Sequence, residues 1–282
     1  MPWDEGLVNS LVYDAPDPKA GRVLPYAKAI NEALDLALAR DQRVFVYGQG
    51  VDDPSAMFGS TKGLKEKFGN ARVFDTPVAE ESMMGVGAGA AMNGMRPFFM
   101  HNRPDFILLA MNQLVNHATK YPYMDNGKST VPMVIWAAIG RGWGSGAQHS
   151  QSIQGILLGV PGLKIVMPST PHDAKGLTLA AIADNNPVLI FEHRWLMRKD
   201  GVVPEGYYTV PIGKGIVRRS GRDVTIAGAS HAIELAGQAA DKLAAEGIDA
   251  EVIDLRTLRP LDEETILASV RKTNRCVVVE EG

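Results

Sequence analysis

A single cysteine, Cys276, occurs in 282 residues, so no disulfide can close within the chain. Among the valines of "NRCVVVEEG" it reads as a buried strand residue. Charge of one sign is nowhere concentrated: 29 basic residues face 32 acidic ones, for a formal net charge of −3. A nucleic-acid or polybasic membrane role therefore has little support. No apolar run approaches the roughly 18–20 residues of a membrane-spanning helix. The opening "MPWDEGLVNSLVYDAPDPKAG" lacks the basic-then-apolar layout of a secretory leader. Together these absences imply a cytoplasmic protein that contacts neither nucleic acid nor membrane.

Several site signatures are missing too. No histidine pair has H-E-x-x-H spacing, and no Cys/His set has zinc spacing. "GRGWGSGAQHSQ" (140–151) lies between a strand and a helix, where ligand loops occur, but it lacks the Gly-Lys-Ser/Thr of a P-loop. "GVGAGAA" (85–91) offers G-x-G-x-G inside a helix, not the G-x-G-x-x-G of a dinucleotide turn. It reads as small residues letting a helix pack closely against another backbone. A Gly-Asp-Gly followed by paired asparagines, which would hold a Mg²⁺-diphosphate, is also absent.

What the chain does have is alternation. Composition is 45% hydrophobic and 22% charged, as in a globular protein with a sizeable core. After an irregular segment over 1–24, a helix begins at "YAKAINEALDLALARD". Strands follow at 43–48, 96–101, 131–139, 163–169 and 187–193, separated by helical stretches near 60–68, 80–93, 104–121, 150–159 and 171–184. Continuous Val/Ile-rich strands between helices predict an α/β fold with a parallel sheet covered on both faces, over 25–200. Residues 194–220 break the rhythm as a linker with a strand or two. The second α/β unit, within 201–282, has strand "DVTIAGAS", helix 231–246, strand "DAEVIDLRTL", helix 262–272 and strand "CVVVEEG". A parallel sheet normally continues into a covering helix, so this domain reads as incomplete.

Titratable residues supply the candidates. In "FDTPVAEES", Glu80 and Glu81 head an apolar helix. The helix dipole alone favours acid there by about 0.3–1 kcal/mol, so a local structural role competes with a chemical one. His117 reads as a structural mid-helix residue and His172 as a solvated helix start. His101 ends a strand and His149 lies in the glycine-rich loop, both on the side where α/β sheets place ligands.

The segments "FGSTKGLKEKFGNARVFDTPVAEESMMGVGAGAAMNGMRPFF", "GAQHSQSIQGILLGVPGLKIVMPSTPHDAKG" and "EVIDLRTLRPLDEETILASVRKTNRCVVVEEG" together resemble the β subunit of the E1 component of 2-oxo acid dehydrogenases, which depend on thiamine diphosphate. The match runs from about residue 25 to the end. "HNRPDFILLAMNQLVNHATKYPYM" resembles a divergent bacterial branch with His-x-Arg after the strand. The resemblance implies a transketolase-like pyrimidine-binding domain, then a transketolase C-terminal domain. It also implies an E1 α-type subunit that carries the diphosphate and Mg²⁺, so the active site is shared in an α₂β₂ assembly.

Glu80 matches the family's catalytic glutamate, and Glu81 has no counterpart. In that family the glutamate binds N1′ of the aminopyrimidine and stabilises the imino tautomer, which takes the C2 proton. The 2-oxo acid then loses CO₂, and the acyl unit passes to a lipoyl group or another acceptor. An apolar helix mouth disfavours the charged acid, so Glu80 can share a proton with the ring. His149 matches a histidine that orients or protonates the intermediate. Asn102 and Phe106 fall where relatives contact the pyrimidine, although Phe106 could equally be core. Arg103 suits a substrate carboxylate or an ion pair, and His101 stands beside it. Met133, Ala181, Ile182, Asp184 and Asn186 match a K⁺ site of some relatives, or ordinary loop packing.

Two departures stand out. Relatives often carry Gly-Glu-Asp where this chain has Gly48-Gln49-Gly50, which removes an acidic contact near the cofactor. They also usually continue well beyond "EEG", so the second domain reads as truncated. The competing readings are half of a split transketolase-type ketol transferase and a non-catalytic scaffold subunit. A lipoyl acyltransferase would be a further partner of the dehydrogenase.

Overall fold

The computed structural model describes residues 21–53 and 55–281. Most of the irregular segment expected over 1–24 lies outside the described residues, but its end forms a strand, β1 (Arg22–Pro25). β1 pairs antiparallel with β8 (Asp200–Val203), so the boundary expected at 200/201 falls at the head of a strand tied to the first unit.

The first unit is built on β2 (Val44–Gly48), β3 (Val73–Asp75), β4 (Arg96–Asn102), β5 (Val134–Ile139), β6 (Lys164–Val166) and β7 (Val188–His193). A strand from the second unit, β12 (Thr257–Arg259), completes a seven-stranded sheet in the order β12-β6-β7-β5-β4-β2-β3. Every pairing is parallel except β12 with β6. β2, β5 and β7 are buried along their whole length, which is why they read as continuous apolar runs. On one face, α1 (Tyr26–Arg40) and α6 (Pro171–Ala183) pack Leu34 and Leu177 into a core with Phe98 and Trp136. On the other, α3 (Glu80–Met92) packs Met84 with Tyr47, Phe99 and Ile135.

The helices expected near 60–68 and 150–159 are short, α2 (Leu64–Phe68) and α5 (Gln154–Leu157). Gly63 and Gly69 flank α2 with positive φ, which ends the helix on both sides. The helix expected over 104–121 is a 3₁₀ segment (Pro104–Ala110), a π-helical segment (Asn112–Ala118) and α4 (Tyr121–Met124). Pro104 opens the first of these segments, and Pro122, which has no N–H, lies in the first turn of the last.

The second unit has a sheet in the order β13-β10-β11-β9, from β9 (Ile216–Arg219), β10 (Val224–Gly228), β11 (Ala250–Asp254) and β13 (Cys276–Val279). Its helices are α7 (His231–Ala245) and α8 (Glu263–Thr273). Cys276 is exposed, not buried, on β13, an outer strand of this sheet among the described residues. His172 also departs from expectation. It is buried and stacks on Tyr208 with ring centroids 5.0 Å apart, because the second unit covers the start of α6. There Asp173 accepts from Arg218 and from Arg256. Burial alone would raise the Asp173 carboxyl, but His172 and the two guanidiniums hold it well below the usual carboxylate range.

Candidate active site

The parallel strands of the first sheet end on one edge, and α/β sheets place ligands beyond such an edge. β2 reaches that edge at Gly48, whose φ is +140° and whose added Cβ would lie 2.2 Å from Met100 O. Only glycine allows β2 to press so closely on β4 here. Next to it, Glu80 opens α3 and is 8% exposed. Gln49 Nε2 donates to Glu80 Oε1 across 3.5 Å. Glu81 points elsewhere: it is exposed and accepts from Gln113 Nε2 at 3.4 Å. Of the α3 glycines, Gly87 is the one that leaves no room for a side chain. An added Cβ would meet Tyr47 Oη at 2.0 Å and Met133 Cε at 2.6 Å. The close approach expected against another backbone is thus made to side chains, with Tyr47 Oη donating to Met83 O at 2.9 Å.

β4 ends in a bulge: its register against β5 shifts between Met100 and Asn102, and Asn102 adopts φ +73°. Such bulges re-aim the side chains that follow. His101 is buried, and its Nδ1 lies 3.1 Å from Arg103 O. A carbonyl only accepts, so Nδ1 carries the proton and Nε2 presents a lone pair. That Nε2 has no hydrogen-bond partner among the described residues. Burial lowers the His101 imidazole to about 4, against the opposing pull of the Arg103 carbonyl and Glu80. The partly buried Arg103 guanidinium makes no hydrogen bond or ion pair within the described residues, and burial lowers it below its ordinary value despite Asp105. It stays charged, as arginine does in proteins. Asp105 Oδ1 accepts from Gln151 N at 3.2 Å and Gln151 Nε2 at 2.8 Å.

His149 ends a 3₁₀ turn (Ala147–His149) in the glycine-rich loop after β5. Phe106 meets its ring edge-on, with centroids 5.1 Å apart at 76°. Arg194, just past β7, donates Nη2 to His149 O at 2.6 Å and Nη1 to Ser145 Oγ at 3.2 Å. The same edge therefore gathers Glu80, His101, Asn102, Arg103, Phe106 and His149. Gln49, Asp105 and Arg194 were not singled out as site residues. Arg194 was findable, since a charged residue directly after a buried strand of a parallel sheet falls on the ligand edge.

The residues matched to a K⁺ site lie at the opposite edge. His117, within the π-helical segment, is exposed. Arg96 Nη1 donates to Ile182 O and to Asp184 O, each at 2.9 Å. Met133 O accepts from Val188 N, and Asp184 Oδ1 accepts from Asn186 N and Nδ2. Ala181 O receives the Asp184 N–H. Arg96 thus already meets the carbonyls of two of these five residues, Ile182 and Asp184.

Comparison with known proteins is extensive. Residues 22–199 match the transketolase pyrimidine binding domain and residues 213–282 the transketolase C-terminal domain. The β subunit of 2-oxoisovalerate dehydrogenase from Bacillus subtilis (strain 168) is 46% identical over 260 residues, 92% of this chain and 80% of that protein. The β subunit of acetoin:2,6-dichlorophenolindophenol oxidoreductase from the same organism is 43% identical over 273 residues, 93% of this chain and 80% of that one. Its pyruvate dehydrogenase E1 component subunit beta is 41% identical over 256 residues, 90% of this chain and 79% of that one. Among solved structures, a split gene transketolase described as an inactive beta4 tetramer superimposes with a TM-score of 0.74. It is 25% identical, over 92% of this chain and 79% of that one. No helix of the described residues is long and apolar enough to cross a membrane.

Proposed function

We propose that this chain, which belongs to the thiamine-diphosphate-dependent family of E1 β subunits, grips the aminopyrimidine of the cofactor in a 2-oxo acid dehydrogenase. The observation that carries this reading is the buried carboxylate of Glu80 at the ligand edge, beside the unpartnered Nε2 of His101.

The donor and acceptor set suits an aminopyrimidine. Such a ring presents a nitrogen that can share a proton with a carboxyl and an amino group that needs an acceptor. Glu80 supplies the carboxyl and His101 Nε2 an acceptor, while Asn102 and Phe106 border the ring. When bound, thiamine diphosphate supplies the carbon nucleophile and the electron sink for decarboxylation. Glu80 holds or yields a proton at the ring nitrogen. Gln49 fixes the Glu80 carboxylate by a neutral donor where relatives often have an acid. Arg103 pairs with the substrate carboxylate, since a half-buried guanidinium lacking a partner favours an anion. His149, braced by Phe106 and Arg194, orients the substrate or gives it a proton.

The diphosphate and its Mg²⁺ belong to an α-type subunit, because this chain lacks the motif that would hold them. Exposed apolar side chains, Val78 just before Glu80, Val86 on α3 and Leu109 on the 3₁₀ segment after Arg103, support subunit contacts on this side of the chain. The reading carries with it an α₂β₂ assembly, a cytoplasmic location and a lipoyl acyltransferase as a further partner. A K⁺ ion at Met133, Ala181, Ile182, Asp184 and Asn186 would share the Ile182 and Asp184 carbonyls with Arg96. The higher identity to dehydrogenase subunits than to the split transketolase favours decarboxylation over ketol transfer. Retention of Glu80 and His149 argues against a scaffold role.

Co-purification with a neighbouring α-type chain, followed by a 2-oxo acid decarboxylation assay with thiamine diphosphate, tests the reading. Decarboxylation that requires both chains supports it. No turnover, together with a Glu80→Ala variant that binds cofactor like the wild type, would sink it.

A further inference from the structure

The loop that carries His149 has little stiffness of its own. Gly140, Gly142, Gly144 and Gly146 adopt φ of +117°, +85°, +69° and +74°, and glycine-rich chain of this kind is held only by what it touches. Inside the first unit it is held by Arg194 at Ser145 and His149, by Trp195 Nε1, which donates to Arg141 O at 3.1 Å, and by Asp105 at Gln151. The end of the second unit adds two further contacts. Glu281, just after β13, accepts from Arg141 Nε at 2.9 Å through Oε1 and from His193 Nε2 through Oε2. Glu280 Oε2 accepts from Gln154 Nε2 at 3.2 Å, at the head of α5. The two glutamates thus grip both ends of the segment containing His149. A second route is shorter still. His193 is followed by Arg194, whose guanidinium holds His149 O at 2.6 Å. The His193 ring also limits Gly140, where an added Cβ would lie 2.7 Å from the imidazole.

His193, His231 and Glu281 also lie close enough together to suggest a metal site, but their chemistry argues otherwise. Trp195 N donates to His193 Nδ1 at 3.2 Å, so the imidazole proton resides on Nε2, where it is given to Glu281. The His231 ring stacks on His193 with centroids 4.6 Å apart at 16°. Lone pairs in such parallel planes do not converge on one ion. The arrangement is a hydrogen-bonded bridge between the two units. Its strong link is the bond to buried His193, because the pair with Arg141 is exposed and worth little.

We propose that Glu281, assisted by Glu280, is a positioning residue for His149: it clamps the glycine-rich loop from the second unit and keeps His149 in its working place. The proposal rests on the reading of His149 given above. The enzyme would then need its second domain for active-site geometry and not for folding alone.

Two measurements test this. Hydrogen exchange on the chain itself should quicken over residues 141–151 in Glu281→Ala. It should stay near wild type in Glu281→Gln, which can still accept from His193 Nε2. Unchanged exchange in Glu281→Ala overturns the clamp whatever the activity. In the enzyme assembled with its α-type subunit, Glu281→Ala should lower kcat about tenfold, because small misplacements of catalytic groups are costly. Cofactor affinity should be retained, and Glu281→Gln should restore most of the rate. On a His149→Ala background, Glu281→Ala should have no additional effect, since the two act as one unit. Wild-type kcat in Glu281→Ala, or full additivity with His149→Ala, overturns the positioning role. Loss of rate only in step with melting temperature and cofactor affinity also overturns it. If His149→Ala itself has the wild-type rate, the reading of His149 fails and the positioning role falls with it.

Discussion

Gln49 Nε2 donates to Glu80 Oε1 across 3.5 Å, joining the end of β2 to the first residue of α3. The long, neutral bond restrains the carboxylate without satisfying it, so Glu80 keeps capacity for a ligand. Replacing Glu80 by Gln preserves shape and this contact but removes the proton carrier. Decarboxylation by the assembled enzyme should fall on the order of 10²–10⁴-fold, the usual worth of a positioned acid or base. The melting temperature of the chain should change little. Steady-state rates with a 2-oxo acid check the first expectation and thermal denaturation the second. A Glu80→Gln enzyme within a factor of two of wild type would remove Glu80 from the mechanism.

Arg103 should act on substrate binding. Its guanidinium is partly buried with no ion pair among the described residues, so an anion should find it ready to bond. Arg103→Gln should raise KM for the 2-oxo acid by roughly 10–100-fold, as expected for a lost charge-assisted bond of about 1.5–3 kcal/mol. The kcat at saturation should move far less. A KM series over 2-oxo acids of differing side chain should show the same factor throughout, because the carboxylate is common to all. Unchanged KM would leave Arg103 with only a local electrostatic role.

Some of this was legible in the sequence and some was not, for identifiable reasons. β2, β5 and β7 were plain because strands covered on both faces carry unbroken apolar runs. Glu80 was separable from Glu81 only through the family motif, since the helix dipole accounts for either acid. β12 was hidden inside "DLRTLRP": a three-residue antiparallel strand has no periodicity, and its partner β6 lies far back in the chain. His172 looked solvated because "STPHD" is a good helix start. Nothing local reveals that Tyr208 stacks on its ring, or that Arg218 and Arg256 arrive from the second unit at the adjacent Asp173. The roles of Gln49 and Arg194 likewise depend on which strand ends become neighbours.

Two glycine-to-alanine changes should have opposite effects on stability. Gly48 has φ +140°, and its added Cβ would meet Met100 O at 2.2 Å. Backbone cannot yield as a flexible side chain does, so Gly48→Ala should destabilise the chain by more than about 2 kcal/mol. Gly89 lies within α3 with nothing within 4 Å of an added Cβ. Gly89→Ala should stabilise by up to about 1 kcal/mol through helix propensity. Denaturant melts of the two variants give the comparison directly. A harmless Gly48→Ala would mean that β2 and β4 can separate at the ligand edge.

Glu192 should set the alkaline side of the stability profile. It is fully buried on β7, and Trp136 Nε1 donates to its Oε2 at 2.5 Å. Burial pushes its carboxyl up from 4.5 to about 8, outweighing that hydrogen bond. Between those values the folded chain keeps a proton that the unfolded chain releases. Stability therefore falls as pH rises through this window, by on the order of 3 kcal/mol at pH 7. His101 works in the other direction: its imidazole is depressed to about 4, so its contribution is present above about 6.5 and lost as pH falls toward about 4. Glu192→Gln stays neutral in both states and still accepts from Trp136. It should match wild type near pH 4.5, exceed it increasingly toward pH 8, and leave the acid limb unchanged. Thermal melts at intervals across that range decide the matter. An unaltered alkaline slope would mean that Glu192 is ionised in the folded chain, with a counter-charge or water reaching Oε1.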